Sequence, residues 1–145
     1  MQNYFEVTVK YEKTAENGKV VKIREKYLVD AVSFTDAETR INEEMKPFIC
    51  GEFVVSAIKR ARINEIFENV KFEGDRYFKA KVNFITKNEE KSVEKKTASY
   101  MLVRASNIKE AREALVYGMK GTMADYEVEA ITETKIIDVF NYKMD

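Results

Sequence analysis

An internal duplication, with a period of about 73 residues, constrains this chain of 145 residues more than any other feature. The segment NYFEVTVKY at residues 3–11 recurs as RYFKAKVNF at residues 76–84. Further matches at offsets of 73 or 74 pair Tyr27 with Tyr100, Ala31 with Ala105, Met45 with Met119, Val55 with Val128 and Phe67 with Phe140. A register kept over the whole chain at apolar positions indicates two copies of one unit, which we place at residues 1–72 and 73–145 of a single domain.

Each copy begins with a predicted hairpin. Its first strand alternates apolar and polar residues with the period of two that is typical of a half-buried strand. The inward positions are Phe5, Val7, Val9 and Tyr11 in the first copy and Phe78, Ala80, Val82 and Phe84 in the second. Asn17-Gly18 predicts a tight turn in the first hairpin, because this dipeptide tolerates positive φ angles. The return strands are predicted at about Val20–Asp30 and Val93–Arg104.

A helix follows each predicted hairpin. Ser33 and Asn107 occupy N-cap positions, and the acidic residue three positions after each one can accept a hydrogen bond from a free backbone N–H group. The apolar stripes are Phe34, Ala37, Ile41 and Met45 in the first helix and Ile108, Ala111, Leu115 and Met119 in the second. Their spacing of three and four places each stripe on one helix face, which we expect to pack on the sheet.

A third strand and a short fourth strand complete each copy. The third strands are predicted at about Phe53–Ile63 and Tyr126–Ile136, and the short strands carry Ile66-Phe67 and Val139-Phe140. The predicted fold class is therefore α+β, an internal duplication of a β-β-α-β(-β) unit. We expect antiparallel sheets, each covered by one helix, in a pseudo-twofold arrangement, because one copy alone buries too little apolar surface to be stable.

The residue types in the chain exclude most common catalytic sites. There is no histidine and only one cysteine, Cys50, so neither a Ser-His-Asp or Cys-His arrangement nor a cysteine-based zinc site can form. None of the five glycines belongs to a phosphate-binding Gly-rich motif. An enzyme would have to rest on carboxylates and a metal ion. We therefore predict no catalytic residues, no metal and no cofactor, and we expect a buried or inert thiol at Cys50.

Positive and negative charges balance, with 25 Lys+Arg and 25 Asp+Glu. This balance argues against strong non-specific binding to nucleic acids or anionic membranes, although a local basic face is compatible with it. The longest apolar runs are too short to span a bilayer. Because no export signal and no intramolecular disulfide are apparent, we expect a cytoplasmic protein without a membrane partner.

The outward face of the predicted strands is the strongest candidate for a binding site. The second copy offers Tyr77, Lys79, Lys81 and Asn83, and the first copy adds Lys59, Arg60 and Arg62 near the end of its third strand. Tyrosine rings on a sheet can stack on bases, and the cations can contact phosphates. These seven residues predict a face that binds nucleic acid or a nucleotide-like anion. An ordinary solvated sheet face is the alternative interpretation.

The two copies differ in charge where they align. The segment IKRARI at residues 58–63 is basic, whereas ITETKI at residues 131–136 is not. The difference fits a ligand site in one copy alone, charge pairing between copies or molecules, or simple drift. Strand edges that stay free would favour a homo-oligomer or the capture of a protein partner.

The segments YFEVTVKYEK and YLVDAVSFTDAE resemble an uncharacterised family of small proteins, a domain of unknown function, from gut Bacteroidetes and their phages and mobile elements. The resemblance covers most of the chain, and YLVDAVSFTDAE is its most specific part. It implies a cytoplasmic, phage-related accessory protein and supplies no catalytic residues.

We therefore predict a non-enzymatic binding protein whose ligand lies on the outer sheet face or in a cleft between the repeats. The cleft rests on analogy with other duplicated helix-on-sheet modules. The alternative is a structural or interaction protein that oligomerises, or captures a protein partner, through exposed strand edges.

Overall fold

The computed structural model describes residues 3–68 and 72–142, which contain eight strands and two helices. In chain order the elements are β1 (Tyr4–Thr14), β2 (Val20–Asp30), α1 (Phe34–Met45), β3 (Phe53–Ala61), β4 (Glu65–Phe67), β5 (Arg76–Asn88), β6 (Val93–Ala105), α2 (Ile108–Gly118), β7 (Asp125–Glu133) and β8 (Ile136–Phe140). The α+β class and the duplicated order of strands and helix are confirmed.

The strands form two four-stranded sheets, with the orders β3-β1-β2-β8 and β4-β6-β5-β7. Three strands of each sheet pair antiparallel, as the sequence predicts. The short fourth strand departs from this pattern, because β8 pairs in parallel with β2, and β4 pairs in parallel with β6. Each sheet therefore takes its short outer strand from the other sequence repeat.

This exchange of short strands makes the compact units of the structure differ from the sequence repeats. Among the described residues, unit 1 comprises 3–61 and 135–142, and unit 2 comprises 62–68 and 72–134. Residues 62–68 and Phe72, which belong to the first sequence repeat, are thus part of unit 2. The expectation that the whole chain behaves as a single cooperative domain stays a prediction.

In unit 1 the predicted inward face of the sheet packs against α1. The buried core includes Phe5, Val7, Val9, Tyr27, Val29, Ala37, Ile41 and Met45. Phe34 is the exception in the predicted stripe, because it stands at the first position of α1 and remains 46% exposed. The helix begins as predicted: Ser33 Oγ accepts a hydrogen bond from the Asp36 N–H at 3.0 Å, and the Asp36 carboxylate accepts one from the Val32 N–H at 3.0 Å.

Unit 2 repeats this arrangement with α2. Its core includes Ala80, Val82, Met101, Val103, Ala114, Leu115 and Met119. Asn107 caps α2, since its side-chain oxygen accepts a hydrogen bond from the Glu110 N–H at 2.8 Å. The Glu110 carboxylate differs from that of Asp36, because it accepts a hydrogen bond from the Ser106 hydroxyl at 2.6 Å. Ile108, the counterpart of Phe34, is 58% exposed.

Between equivalent positions of its two strands, the second hairpin contains one residue more than the first, which changes the alignment of the two copies. Tyr4 faces Asp30 across the first hairpin, and its counterpart Tyr77 faces Arg104, so the return strands align at an offset of 74. Tyr100 therefore corresponds to Lys26, and the sequence match of Tyr100 with Tyr27 is wrong. A shift of one residue moves a side chain to the opposite face of a strand, so Tyr27 lies beneath α1 whereas Tyr100 lies on the other face of its sheet.

Candidate anion-binding site

Three cations gather around Tyr100 on the face of the second sheet that is opposite α2. The guanidinium carbon of Arg62 lies 4.7 Å from the centroid of the Tyr100 ring, and Lys79 Nζ lies 4.9 Å from it. Both distances are within the range of cation–π contacts. Lys81 stands directly opposite Tyr100 in the β5–β6 ladder. We refer to Arg62, Lys79, Lys81 and Tyr100 as the Tyr100 cluster.

The exchange of short strands brings Arg62 to this cluster. Arg62 stands three residues before β4, and the parallel pairing of β4 with β6 carries this segment alongside Tyr100. Asn64 fixes the segment in place, because the backbone N–H of Tyr100 donates to Asn64 Oδ1 at 2.8 Å and the Asn64 N–H donates to the Tyr100 carbonyl oxygen at 2.7 Å. The cluster therefore combines residues of both sequence repeats.

A β-bulge adds one carboxylate to the edge of the cluster. The register of β5 with β7 shifts between Lys81 and Val82, which leaves Glu129 as the extra residue. The Glu129 carboxylate accepts hydrogen bonds from Lys81 Nζ at 2.8 Å and from the Asn83 side-chain amide at 3.1 Å. The bond with Lys81 lowers the pKa of the Glu129 carboxyl, and the same bond raises the pKa of the Lys81 ammonium.

The cluster itself contains three cations, and the Glu129 carboxylate at its edge pairs with one of them, Lys81, so these four side chains carry a net positive charge. Arg62 is exposed, and Lys79, Lys81 and Tyr100 are partly buried, so a ligand can reach the cations from solvent. Two cations that share one ring also repel each other. An anion placed between them would interact favourably with both and would offset that repulsion, and a phosphate oxygen is a strong acceptor for such donors.

The structure corrects the exposure that the sequence predicts for Tyr77 and Asn83. Tyr77 is only 3% exposed, and its hydroxyl donates a hydrogen bond to Glu68 Oε1 at 3.0 Å. Asn83 is 6% exposed and holds Glu129. Alternation along a strand predicts which side of the sheet a residue occupies, but it does not predict whether that side is covered. Leu102, next to Lys79 on the same face, is likewise fully buried.

Lys59 and Arg60, the other two predicted site residues, belong to unit 1. Lys59 is exposed and faces Glu6 in the β1–β3 ladder. Arg60 points to the opposite face, because its guanidinium carbon lies 5.4 Å from the ring centroids of both Phe5 and Phe34. The seven predicted residues thus fall into two groups, and Arg62, Lys79 and Lys81 are the three that the structure brings together.

Unit 1 provides a counterpart of the cluster with different chemistry. The positions of Arg62, Lys79, Lys81, Tyr100 and Glu129 are occupied there by Lys135, Glu6, Thr8, Lys26 and Ser56. Lys26 Nζ forms an ion pair with the Glu6 carboxylate at 3.3 Å. This face of unit 1 therefore has no aromatic ring at the central position, and its central cation is already paired.

Sequence reasoning missed Tyr100, Asn64 and Glu129. Tyr100 is missed because the match with Tyr27 assigns it to the helix side of the sheet. Counting residues across the two hairpin loops gives the correct face, so this signal is present in the sequence. Asn64 and Glu129 have no such signal, because they depend on the pairing of β4 with β6 and on a bulge in β7.

Other reactive groups are sparse. Cys50 is exposed, because it lies in the turn region between α1 and β3, so of the two expected states, buried or inert, the buried one is wrong and the inert one stays a prediction. Within residues 3–68 and 72–142, no three His, Cys, Asp or Glu side chains lie close enough together to hold a metal ion.

In the same residues, no helix combines the length and the apolar character needed to cross a membrane.

The fold and the cluster define an α+β protein with two helix-covered sheets and one basic, tyrosine-centred face. The chain belongs to the DUF4494 family, a domain of unknown function, whose sequence profile matches residues 3–142. The match therefore spans both units. Comparisons with curated proteins and with solved structures found no match.

Proposed function

We propose that this protein is a non-enzymatic binding protein that holds a phosphate-bearing ligand, nucleic acid or a nucleotide-like anion, at the Tyr100 cluster. The observation that carries the proposal is the convergence of Arg62 and Lys79 on one ring beside Lys81. Backbone phosphates are the main source of affinity in sequence-independent nucleic-acid binding, and cations on an exposed sheet face are suited to contact them.

The geometry favours contacts with phosphate over stacking on bases. The ring of Tyr100 is engaged by two cations, and Tyr77, the other ring on this face, is buried. A ligand would therefore meet the charged ends of Arg62, Lys79 and Lys81 first. We expect binding with little sequence preference and a marked dependence on salt.

Fluorescence anisotropy with a labelled pool of single-stranded oligonucleotides, at low and moderate salt, tests the proposal. We expect the logarithm of the affinity to fall with the logarithm of the salt concentration, with a slope of about 0.7 for each phosphate contacted. The double variant Lys79→Glu with Lys81→Thr carries the residues that unit 1 has at these positions, Glu6 and Thr8. It should lower the affinity at low salt by about tenfold or more.

The matched control is Lys13→Glu with Lys19→Thr, which makes the same change of charge on the exposed hairpin of unit 1. It should change the affinity much less than the variant in the cluster does. Absence of binding at both salt concentrations, or equal losses in the two double variants, would overturn the proposal. Competition by a mononucleotide separates a nucleotide site from one that needs a nucleic-acid chain.

Oligomerisation or partner capture through strand edges is the second candidate function. It is favoured by β3 and β7, which are outer strands of nine residues each. Against it, both ladders contain a register shift, and bulges of this kind protect an edge from pairing. Light scattering at high protein concentration tests this alternative, and a monomer throughout the range would contradict it.

The setting that we propose is a cytoplasmic accessory protein of gut Bacteroidetes or of their phages. This part of the proposal is supported by the resemblance of YLVDAVSFTDAE to proteins from those sources. The balanced charge of the chain is compatible with it, because a ligand site confined to one small face leaves the rest of the surface neutral.

A further inference from the structure

Unit 2 has a groove between α2 and β7, on the face of the sheet opposite the Tyr100 cluster. Its volume is about 1030 Å³. Its apolar lining consists of Phe72, Ile108, Val116, Tyr117, Tyr126 and Ile131. This size and this lining are typical of sites for small organic ligands, which combine a mostly apolar wall with a few polar groups.

The apolar side chains of the groove remain accessible to solvent. Ile108 is 58% exposed and Val116 is 48% exposed, although both are aliphatic. They stand eight residues apart on α2, so they lie on the same helix face as Arg112 midway between them. The helix therefore presents two exposed aliphatic side chains with one guanidinium between them.

The charged groups of the groove are mainly cationic. Lys109, Arg112 and Lys120 line it together with a single acid, Glu113. Within residues 3–68 and 72–142, neither Lys109 nor Arg112 forms an ion pair with an acidic side chain. Cations beside an exposed apolar wall favour a ligand that has both an apolar body and a negative group.

A comparison with the equivalent face of α1 shows that the helix-on-sheet fold does not require Arg112 or Val116. Helices α1 and α2 align at an offset of 74, so Arg112 corresponds to Glu38 and Val116 to Asn42. The same helix-on-sheet packing thus accommodates an acid and an amide in unit 1. Arg112 and Val116 give the groove of unit 2 its opposite charge and its apolar surface.

We propose that the groove between α2 and β7 binds a small apolar carboxylate of the fatty-acid type. Its hydrocarbon chain would lie against the apolar wall that includes Ile108, Val116 and Ile131. Its carboxylate would bind Arg112, whose guanidinium can donate two parallel hydrogen bonds, with Lys109 nearby. An extended peptide is a poorer fit, because the bulge at Glu129 interrupts the edge of β7 along which it would have to pair.

Isothermal titration calorimetry with dodecanoate, below its micelle concentration, tests this proposal on the full chain. The probe with the opposite charge is dodecyltrimethylammonium, which has the same apolar chain and a cationic head. We expect dodecanoate to bind with one-to-one stoichiometry and at least about tenfold more tightly than the cationic probe, because only the anion can pair with Arg112.

The double variant Arg112→Glu with Val116→Asn carries the residues of α1 and should weaken dodecanoate binding by about tenfold or more. The matched control, Arg24→Glu with Val20→Asn, makes the same changes on exposed positions of β2 and should bind dodecanoate like the original chain. Oligonucleotide binding should be unchanged in the groove variant, so this proposal can fail while that for the Tyr100 cluster stands.

Four results would overturn the inference, and the first three concern the two probes and the groove variant. They are no dodecanoate binding, equal binding of the two probes, and retained dodecanoate binding in the groove variant. Binding to vesicles of phosphatidylglycerol without binding of monomeric dodecanoate would also overturn it, because it would point to a membrane surface and not to a single carboxylate. Thermal unfolding of each variant shows whether a loss of binding reflects a loss of fold.

Discussion

The two units of this protein share one architecture, but they differ on the sheet face opposite the helix. Unit 2 has Tyr100 at the centre, with Arg62 and Lys79 on its ring. Unit 1 has Lys26 at that centre, in an ion pair with Glu6. The inward residues of both units are apolar and equivalent, so the core does not determine what the outer face carries. The difference indicates that the basic face of unit 2 is a feature of its surface and is not needed to fold the sheet.

The units also differ in the side-chain contacts that hold the helix against the rest of the unit. In unit 1, an Arg40 guanidinium N–H donates to the Asp30 carbonyl oxygen at 3.2 Å, and the guanidinium lies 4.0 Å from the centroid of the Tyr142 ring. The Tyr142 hydroxyl donates to Glu44 at 2.7 Å, and its burial and this bond raise its pKa. The counterparts of Arg40 and Glu44 in α2 are Ala114 and Gly118. Where α1 of unit 1 makes polar contacts through Arg40 and Glu44, α2 of unit 2 has small residues, and Gly118 packs closely against the ring of Phe67.

The largest expected effect is a loss of stability caused by Gly118→Ala, which tests the close helix packing that distinguishes unit 2 from unit 1. A Cβ at this position would lie 2.6 Å from Cγ of Phe67, the side chain that β4 brings to unit 2. We expect the free energy of unfolding, measured with a chemical denaturant, to fall by roughly 1–3 kcal/mol, as is usual when a packed site is overfilled. Glu113→Ala on the exposed side of the same helix should change it by less than about 0.5 kcal/mol. A Gly118→Ala protein as stable as the original would contradict this packing.

A smaller effect is expected from Glu129→Gln, which should strengthen oligonucleotide binding at the Tyr100 cluster. The substitution removes the carboxylate at the edge of the Tyr100 cluster and frees Lys81 from its ion pair. We expect the oligonucleotide affinity at low salt to rise about two- to fivefold, which is the size of an exposed charge–charge interaction. Glu133→Gln is the matched control on the same strand, since Glu133 pairs with Arg76 at 3.7 Å. A gain of the same size in this control would mean that only the overall charge matters.

The smallest effect concerns the titration of Glu129. Hydrogen bonds from Lys81 and Asn83 lower the pKa of its carboxyl, so the ionised form should persist below the ordinary range of a glutamate. The stabilisation from this pair is present above the pKa of the unfolded chain and is lost as pH falls through the lower native value. Carbon-detected NMR of the carboxyl measures this pKa directly. Lys81→Thr should raise it, and an unchanged value would refute the assigned pair.

Much of the fold is predictable from sequence, because its signals are local. The periods of two and of three to four identify the strands and helices, and Ser33 and Asn107 identify where the helices begin. The exchange of β4 and β8 is not predictable in this way. A strand as short as Glu65–Phe67 has too few residues to encode its partner, so its pairing depends on where the chain lies in three dimensions.

The candidate site is predictable only in part, for the same reason. Alternation along β5 places Lys79 and Lys81 on the correct face. It also places Tyr77 on that face, but Tyr77 is buried in the structure. Whether a side chain on a given face is buried depends on the folded chain and cannot be read from alternation. Arg62 joins the cluster through the exchanged strand. Tyr100 joins it because the second hairpin contains one residue more than the first between equivalent strand positions.

Amide chemical shifts, recorded while a single-stranded oligonucleotide is titrated into the full chain, test the central claim most directly, because one sample reports on both units. A site at the Tyr100 cluster predicts that the largest shifts occur at Lys79, Lys81 and Tyr100. The counterparts in unit 1, which are Glu6, Thr8 and Lys26, should change little. Shifts of equal size on both faces, or larger shifts in unit 1, would contradict the claim that only unit 2 carries the site.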